Sequence, residues 1–176
     1  GKSYLLFNIF KNHLLDSGVK EDQIIEVVLD SVEYEELRDR TKLNEYIKSK
    51  IIDNKKYYLL LDEIQLVDGF EFLLNGLLRV SNIDCYVTGS NAKFLSSDII
   101  TEFRGRGDEV RVHPLSFQEF YDSYKGDKHN AYSEYSIYGG MPALVEMDSH
   151  EAKSPYLSNL VENVYLTDII DRNDLK

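Results

Sequence analysis

Asp62 and Glu63 stand side by side at the end of "KYYLLLDEI", an uninterrupted apolar run of the kind that makes a strand covered on both faces. Ligands of open α/β sheets bind at the carboxyl ends of such strands. Two adjacent carboxylates delivered there suit a division of labour in phosphoryl transfer. Asp62 can hold Mg²⁺ through its water shell, and Glu63 can polarise an attacking water. The competing reading is compositional: strands commonly end in polar residues, and the chain carries 31 acidic against 20 basic residues.

A second candidate lies at the start. Gly1-Lys2-Ser3 matches the last three positions of the phosphate-binding loop G-x-x-x-x-G-K-[ST]. In that loop the lysine neutralises the β- and γ-phosphate oxygens, and the next hydroxyl coordinates Mg²⁺ from the first turn of a helix. "SYLLFNIFKNHLLDSG" supplies such a helix, with a stripe at Leu5, Leu6, Ile9, Phe10 and Leu14 and Gly18 as its stop. A lone "GKS" arises easily by chance. It does so far less easily one helix-strand-helix unit before a buried strand ending in Asp-Glu. A third candidate comes after the next strand, "DCYVTGS". There Ser90 and Asn91, with Thr88 behind them, are polar side chains able to orient a water or sense a γ-phosphate; an ordinary Gly-Ser-Asn turn accounts for them equally well.

The elements that must position these residues alternate. After the first helix, Gln23 to Asp30 ("QIIEVVLD") reads as a buried strand. "TKLNEYIKSKIIDN" places Leu43, Ile47 and Ile51 four apart on a helix, and "FEFLLNGLLRV" returns to helical spacing through Phe70, Leu73, Leu74 and Leu77. A helix is expected around "SSDIITEF" and an amphipathic strand over "DEVRVHPLS", ending at Pro114. Strands alternating with helices imply parallel pairing, because each crossover needs a helix to return the chain. The fold class expected is therefore α/β, a doubly wound parallel sheet.

Beyond Pro114 the pattern is helical. Ser116 and Glu119 form a capping box, and helices are expected at about 117–124, 132–138 and 156–171, with "YKGDKHNAY" as a polar loop or hinge. In "YGGMPALV", Gly139 or Gly140 can end a helix in a left-handed conformation and Pro142 can begin the next. The domains expected are a core over 1–115 and a helical region over 116–176.

Composition sets further bounds. The 176 residues are ample for a buried core, and the net charge of -11 disfavours nonspecific nucleic-acid binding, in which phosphate neutralisation dominates. No apolar run approaches the roughly 20 residues that span a bilayer. The single cysteine, Cys85, sits in an apolar stretch and reads as a buried, reduced thiol, so a cytoplasmic location is expected. The four histidines lack ligand-like spacing.

Taken together, "GKSYLL", "YYLLLDEIQ", "VTGSNAKFL", "FRGRGDEVRVHPLSFQEF", "YGGMPALV" and "YLTDIIDRNDL" resemble the prokaryotic AAA-type P-loop ATPases that carry a C-terminal domain of unknown function, relatives of the archaeal-type ATPases. The resemblance covers essentially the whole chain. It implies that Gly1, Lys2 and Ser3 belong to the nucleotide-binding Walker A motif, and Asp62 and Glu63 to Walker B. Ser90 or Asn91 would take the sensor position. Arg106 would match an arginine able to stabilise phosphate charge in cis or from a neighbouring subunit. A solvated basic turn in "RGRGDE" is the alternative for Arg106, and Arg104 is a weaker candidate. It also implies ATP and Mg²⁺ as cofactors, and a helical lid followed by the start of a further domain in 116–176.

In that family a central strand precedes the phosphate loop, and this chain lacks it, so it reads as truncated at both ends. The strand edges so bared would pair with each other, "DCYVTGS" with "EVRVHP", or recruit a strand from another copy. Nucleotide binding and hydrolysis by this piece alone would then be impaired, with ATP and Mg²⁺ absent. The expected function of the longer protein is Mg²⁺-dependent ATP hydrolysis coupled to conformational change. The alternatives are a nucleotide-gated interaction module with little turnover and, less favoured, a small-molecule P-loop kinase.

Overall fold

Across residues 1–89 and 107–162, which the computed structural model describes, three parallel strands form one sheet in the order β1-β2-β3. They are β1 (Ile24–Val28), β2 (Tyr57–Asp62) and β3 (Ile83–Val87). Leu61 stands opposite Val27 on one side and Val87 on the other. Alternation along β2 divides its apolar run between two cores. Leu59 and Leu61 join one with Val27, Leu43, Ile47, Phe70 and Leu74; Leu60 joins the other with Leu6, Leu14 and Ile24. The run is continuous because both faces are covered.

Helices account for the covering. α1 runs without a break through Lys2–Tyr4, a π-helical Leu5–Phe10 and Lys11–Asp16. Of its expected stripe, Leu6 and Leu14 are buried, but Leu5 and Ile9 are 38% and 54% exposed. Leu6 and Leu14 pack with Ile24 and Leu60, and Phe10 lies against them, whereas Leu5 and Ile9 fall outside that core. α1 ends in a Schellman motif: Gly18 (φ +89) donates to the Leu15 carbonyl at 2.9 Å and Val19 to the Leu14 carbonyl at 3.0 Å. Lys11 ties α1 to β1 and to the turn before it, with Nζ 2.7 Å from both Glu21 and Glu26. The hydrogen bonds to these two carboxylates hold its pKa above the ordinary lysine value.

α2 (Arg40–Lys50) and α3 (Phe70–Leu77) lie together on the opposite face, as right-handed crossovers require when three strands are laid down in sequence order. Asp39 starts α2 by accepting from the Thr41 and Lys42 amides, both at 2.9 Å. Cys85 on β3 packs against this core. Burial, with Asp84 beside it, pushes its thiol up to about 12, which makes it the inert structural cysteine its sequence context suggests.

The chain divides into two compact units, Gly1–Val110 and Arg111–Lys176. In the second, α4 (Phe117–Ser123) opens on the expected capping box: Ser116 Oγ accepts from the Glu119 amide, and Glu119 reaches back to the Ser116 amide at 2.8 Å. α5 (Lys128–Tyr138) begins four residues earlier than expected, because Asp127 inside the anticipated loop caps it. α6 (His150–Leu160) also begins early, capped by Ser149, with Pro155 inside it rather than before it. The two central glycines divide their duties. Gly139 takes the positive φ (+78) at the end of α5. A Cβ on Gly140 would lie 2.0 Å from the Leu115 carbonyl oxygen. Pro142 begins a short 3-10 turn, Pro142–Glu146.

The strand expected over "DEVRVHPLS" does not form. The described residues 107–116 are irregular, and Val110 is 85% exposed. Alternating valines there satisfy the strand pattern, but without a ladder partner the pattern produces no strand. The helix expected around "SSDIITEF" and the end of that expected over 156–171 lie outside the described residues. No helix among the described residues is long and apolar enough to cross a membrane.

Candidate functional site

β2 delivers Asp62 to the carboxyl edge of the sheet as its last residue. The side chain is held inside, at 3% exposure. Its neighbour is fixed by register. With Leu61 opposite Val87, the next residue of the β3 chain, Thr88, falls beside Asp62. Thr88 laces the two strand ends together: its amide donates to the Leu61 carbonyl at 2.9 Å, and its carbonyl accepts from the Ile64 amide at 3.1 Å. Its hydroxyl donates to Asp62 Oδ1 and accepts from the Glu63 amide at 3.4 Å. From the other side, the Leu29 amide donates to the Asp62 carbonyl at 3.3 Å. The β3 side therefore holds this carboxylate directly, while the β1 side fixes the backbone that carries it.

Glu63 is where the chain leaves the sheet. Its backbone is left-handed (φ 55, ψ 44), the one such non-glycine among the described residues. A conformation of this kind costs a non-glycine residue on the order of 1 kcal/mol and persists where its surroundings impose it. A 3-10 turn, Ile64–Leu66, comes next, closed by the Leu66 amide on the Glu63 carbonyl at 3.0 Å. The Ile64 side chain is fully buried and anchors this turn in the core. Gln65 Nε2 donates to Glu63 Oε2.

No described lysine or arginine forms an ion pair with Asp62 or Glu63. A buried carboxylate without a cation is costly unless something supplies the positive charge. The donors at hand are carboxylate and hydroxyl oxygens, the hard ligands that Mg²⁺ prefers, so the chemistry of the site fits that ion.

Gly1, Lys2 and Ser3 are exposed at the start of α1. α1 passes into β1 through the short connection 17–23 and so runs antiparallel to the strands, which directs its first residues toward the sheet's carboxyl edge. Among the described residues Lys2 and Ser3 make no hydrogen bond to Asp62 or Glu63. Ser90, Asn91 and Arg106, with Arg104, lie outside the described residues. The linear sequence names Thr88 only as backing for Ser90 and Asn91; its bond to Asp62 emerges when the ends of "YYLLLD" and "CYVT" are aligned as parallel neighbours. Gln65, a polar residue in an apolar turn, carries no motif signal of its own.

The fold is an α/β parallel sheet flanked by helices, of the P-loop NTPase type. The chain belongs to the AAA domain family, whose model matches residues 1–121. Over its whole length it is 35% identical, across 182 aligned residues, to an uncharacterized protein of Haemophilus influenzae, of which it covers 45%. It is 27% identical, across 192 residues, to an uncharacterized protein of Methanocaldococcus jannaschii, of which it covers 41%. The chain thus spans less than half the length of these relatives. No solved structure matches it significantly.

Proposed function

We propose that this chain contributes the nucleotide site of a Mg²⁺-dependent ATP hydrolase whose turnover drives conformational change in the full-length protein. The observation that carries the reading is the Asp62-Glu63 pair at the carboxyl end of β2, one carboxylate buried without an ion pair among the described residues and the other on a left-handed turn. In this reading the Lys2 ammonium neutralises β- and γ-phosphate oxygens. The Ser3 hydroxyl and the Asp62 carboxylate would hold Mg²⁺, which supplies positive charge to the phosphates when bound. Glu63 takes a proton from water as its oxygen bonds to the γ-phosphorus, and the bond from that phosphorus to the leaving ADP oxygen breaks. Thr88 keeps Asp62 and the Glu63 backbone in register. Ser90 or Asn91 as sensor and Arg106 as a stabiliser of phosphate charge complete the assignment by family resemblance.

Glu63→Gln in the full-length protein tests this. Phosphate release is expected to fall by about 10²-fold or more, the range of a general base, with ATP affinity retained. Undiminished phosphate release would overturn the assignment. Retained biological function despite lost turnover would favour a nucleotide-gated module, and a phosphorylated acceptor in place of free phosphate would favour a kinase.

A further inference from the structure

Gln65 holds two unusual positions at once. Its Nε2 donates to Glu63 Oε2, while its Oε1 is buried and has no hydrogen-bond partner among the described residues. An amide that keeps one end bonded and leaves the other both dry and unpaired is costly, and a buried polar atom in that condition calls for an explanation. The bond at the other end supplies one, because a hydrogen bond to a charged carboxylate is stronger than one between neutral groups. Reversing the amide would set its oxygen against the Glu63 carboxylate, acceptor against acceptor, so the carboxylate fixes which way the amide faces.

The backbone is arranged for this contact. In an extended strand Gln65 would lie about 6.6 Å along the chain from Glu63. The left-handed turn at Glu63 folds it back, and the turn is pinned by the Leu66 amide on the Glu63 carbonyl and the Val67 amide on the Ile64 carbonyl, both at 3.0 Å. Ile64 and Val67, on either side of this pin, are buried in the core. Two unfavourable local features, a left-handed glutamate and an unpaired amide oxygen, thus meet in one side-chain contact, and strain so concentrated marks functional positions.

We propose that Gln65 is a positioning residue for hydrolysis: its amide holds one carboxylate oxygen of Glu63 and leaves the other to receive the proton of the attacking water. The inference rests on Glu63 serving as that base. It is tested with Gln65→Met, which keeps length without the donor, and Gln65→Glu, which keeps shape and sets a second carboxylate against the first. Both are made in the full-length protein, alone and combined with Glu63→Gln. Each alone is expected to lower kcat at least tenfold; Gln65→Met should do so with KM, ATP affinity and Tm little changed. In the Glu63→Gln background each should change single-turnover phosphate release less than twofold, since the group it positions is gone. A folded variant with kcat within twofold of the parent, or an equal loss in both backgrounds, would overturn the proposal while leaving the hydrolase reading intact. Absence of phosphate release by the unmodified full-length protein would remove the hydrolase reading itself, and this inference with it.

Discussion

The two units of the chain are held together by different means. The first is an aliphatic structure: Val27, Leu29, Leu43, Ile47, Leu59, Leu60 and Leu61 are all fully buried on or around a parallel sheet. The second buries few apolar side chains among its described residues, Phe120, Ala131 and Leu144, and encloses Lys153 with them. Lys153 forms an ion pair with Glu134, which also accepts from the Tyr124 hydroxyl at 3.2 Å, and its ammonium lies 5.3 Å from the Tyr138 ring centroid. Phe117 meets Tyr132 and Tyr135 edge-on at 5.4 and 5.5 Å. Three caps, Ser116, Asp127 and Ser149, start its helices. One unit therefore depends on volume and the other on polar geometry. The candidate site sits in the first, where close packing around the strand ends can hold a strained glutamate in place.

The largest effect should come from the aliphatic unit. Leu60→Ala opens a cavity between β2 and α1 and should cost about 3 kcal/mol, read from urea unfolding. A loss below 1 kcal/mol would mean that α1 does not close that face firmly.

A smaller loss, and one that a second change repairs, should mark the polar unit. Glu134→Ala leaves Lys153 buried without its counterion and should cost about 2 kcal/mol, less than a fully enclosed pair because Glu134 is partly open to solvent. Adding Lys153→Met should recover most of that loss, since an apolar side chain suits the same cavity. If the double variant were as unstable as the single, packing rather than charge would be the cause, and the contrast between the units would narrow.

The smallest effect should be at the caps. Ser116→Ala should cost about 1 kcal/mol. Glu119 is held below its ordinary value of 4.5 by the Ser116 amide, and Asp127 below 3.8 by the Asn130 amide. Their stabilisation is complete above those ordinary values and is lost as pH falls through the lowered ones. Far-UV circular dichroism from pH 6 to pH 2 should show helix loss confined to the acid end of that range. Ser116→Ala keeps the amide but removes the hydroxyl that also donates to Glu119, so it should remove part of that pH dependence, and identical acid profiles would show that the hydroxyl contributes nothing to it.

Patterns local in sequence were legible before any coordinates. The β2 run, the capping box, the α3 stripe and the Asp-Glu pair are each set by a few neighbouring residues. The same reading failed at 108–116, where alternating valines promised a strand, because pairing depends on a neighbour that the segment's own sequence does not contain. It also overreached in α1, where Leu6 and Leu14 join a core but Leu5 and Ile9 of the same expected stripe are exposed.

By itself, then, the amino-acid order determined that two carboxylates would end a buried strand and that helices would cover both faces of its sheet. The partners of those carboxylates were decided only in three dimensions. Thr88 reaches Asp62 from 26 residues away because parallel register places the ends of β2 and β3 side by side. Gln65 reaches Glu63 because the exit from the sheet forces a left-handed turn. Hydrophobic periodicity is written residue by residue, whereas a hydrogen bond between strand ends depends on where packing finally sets them.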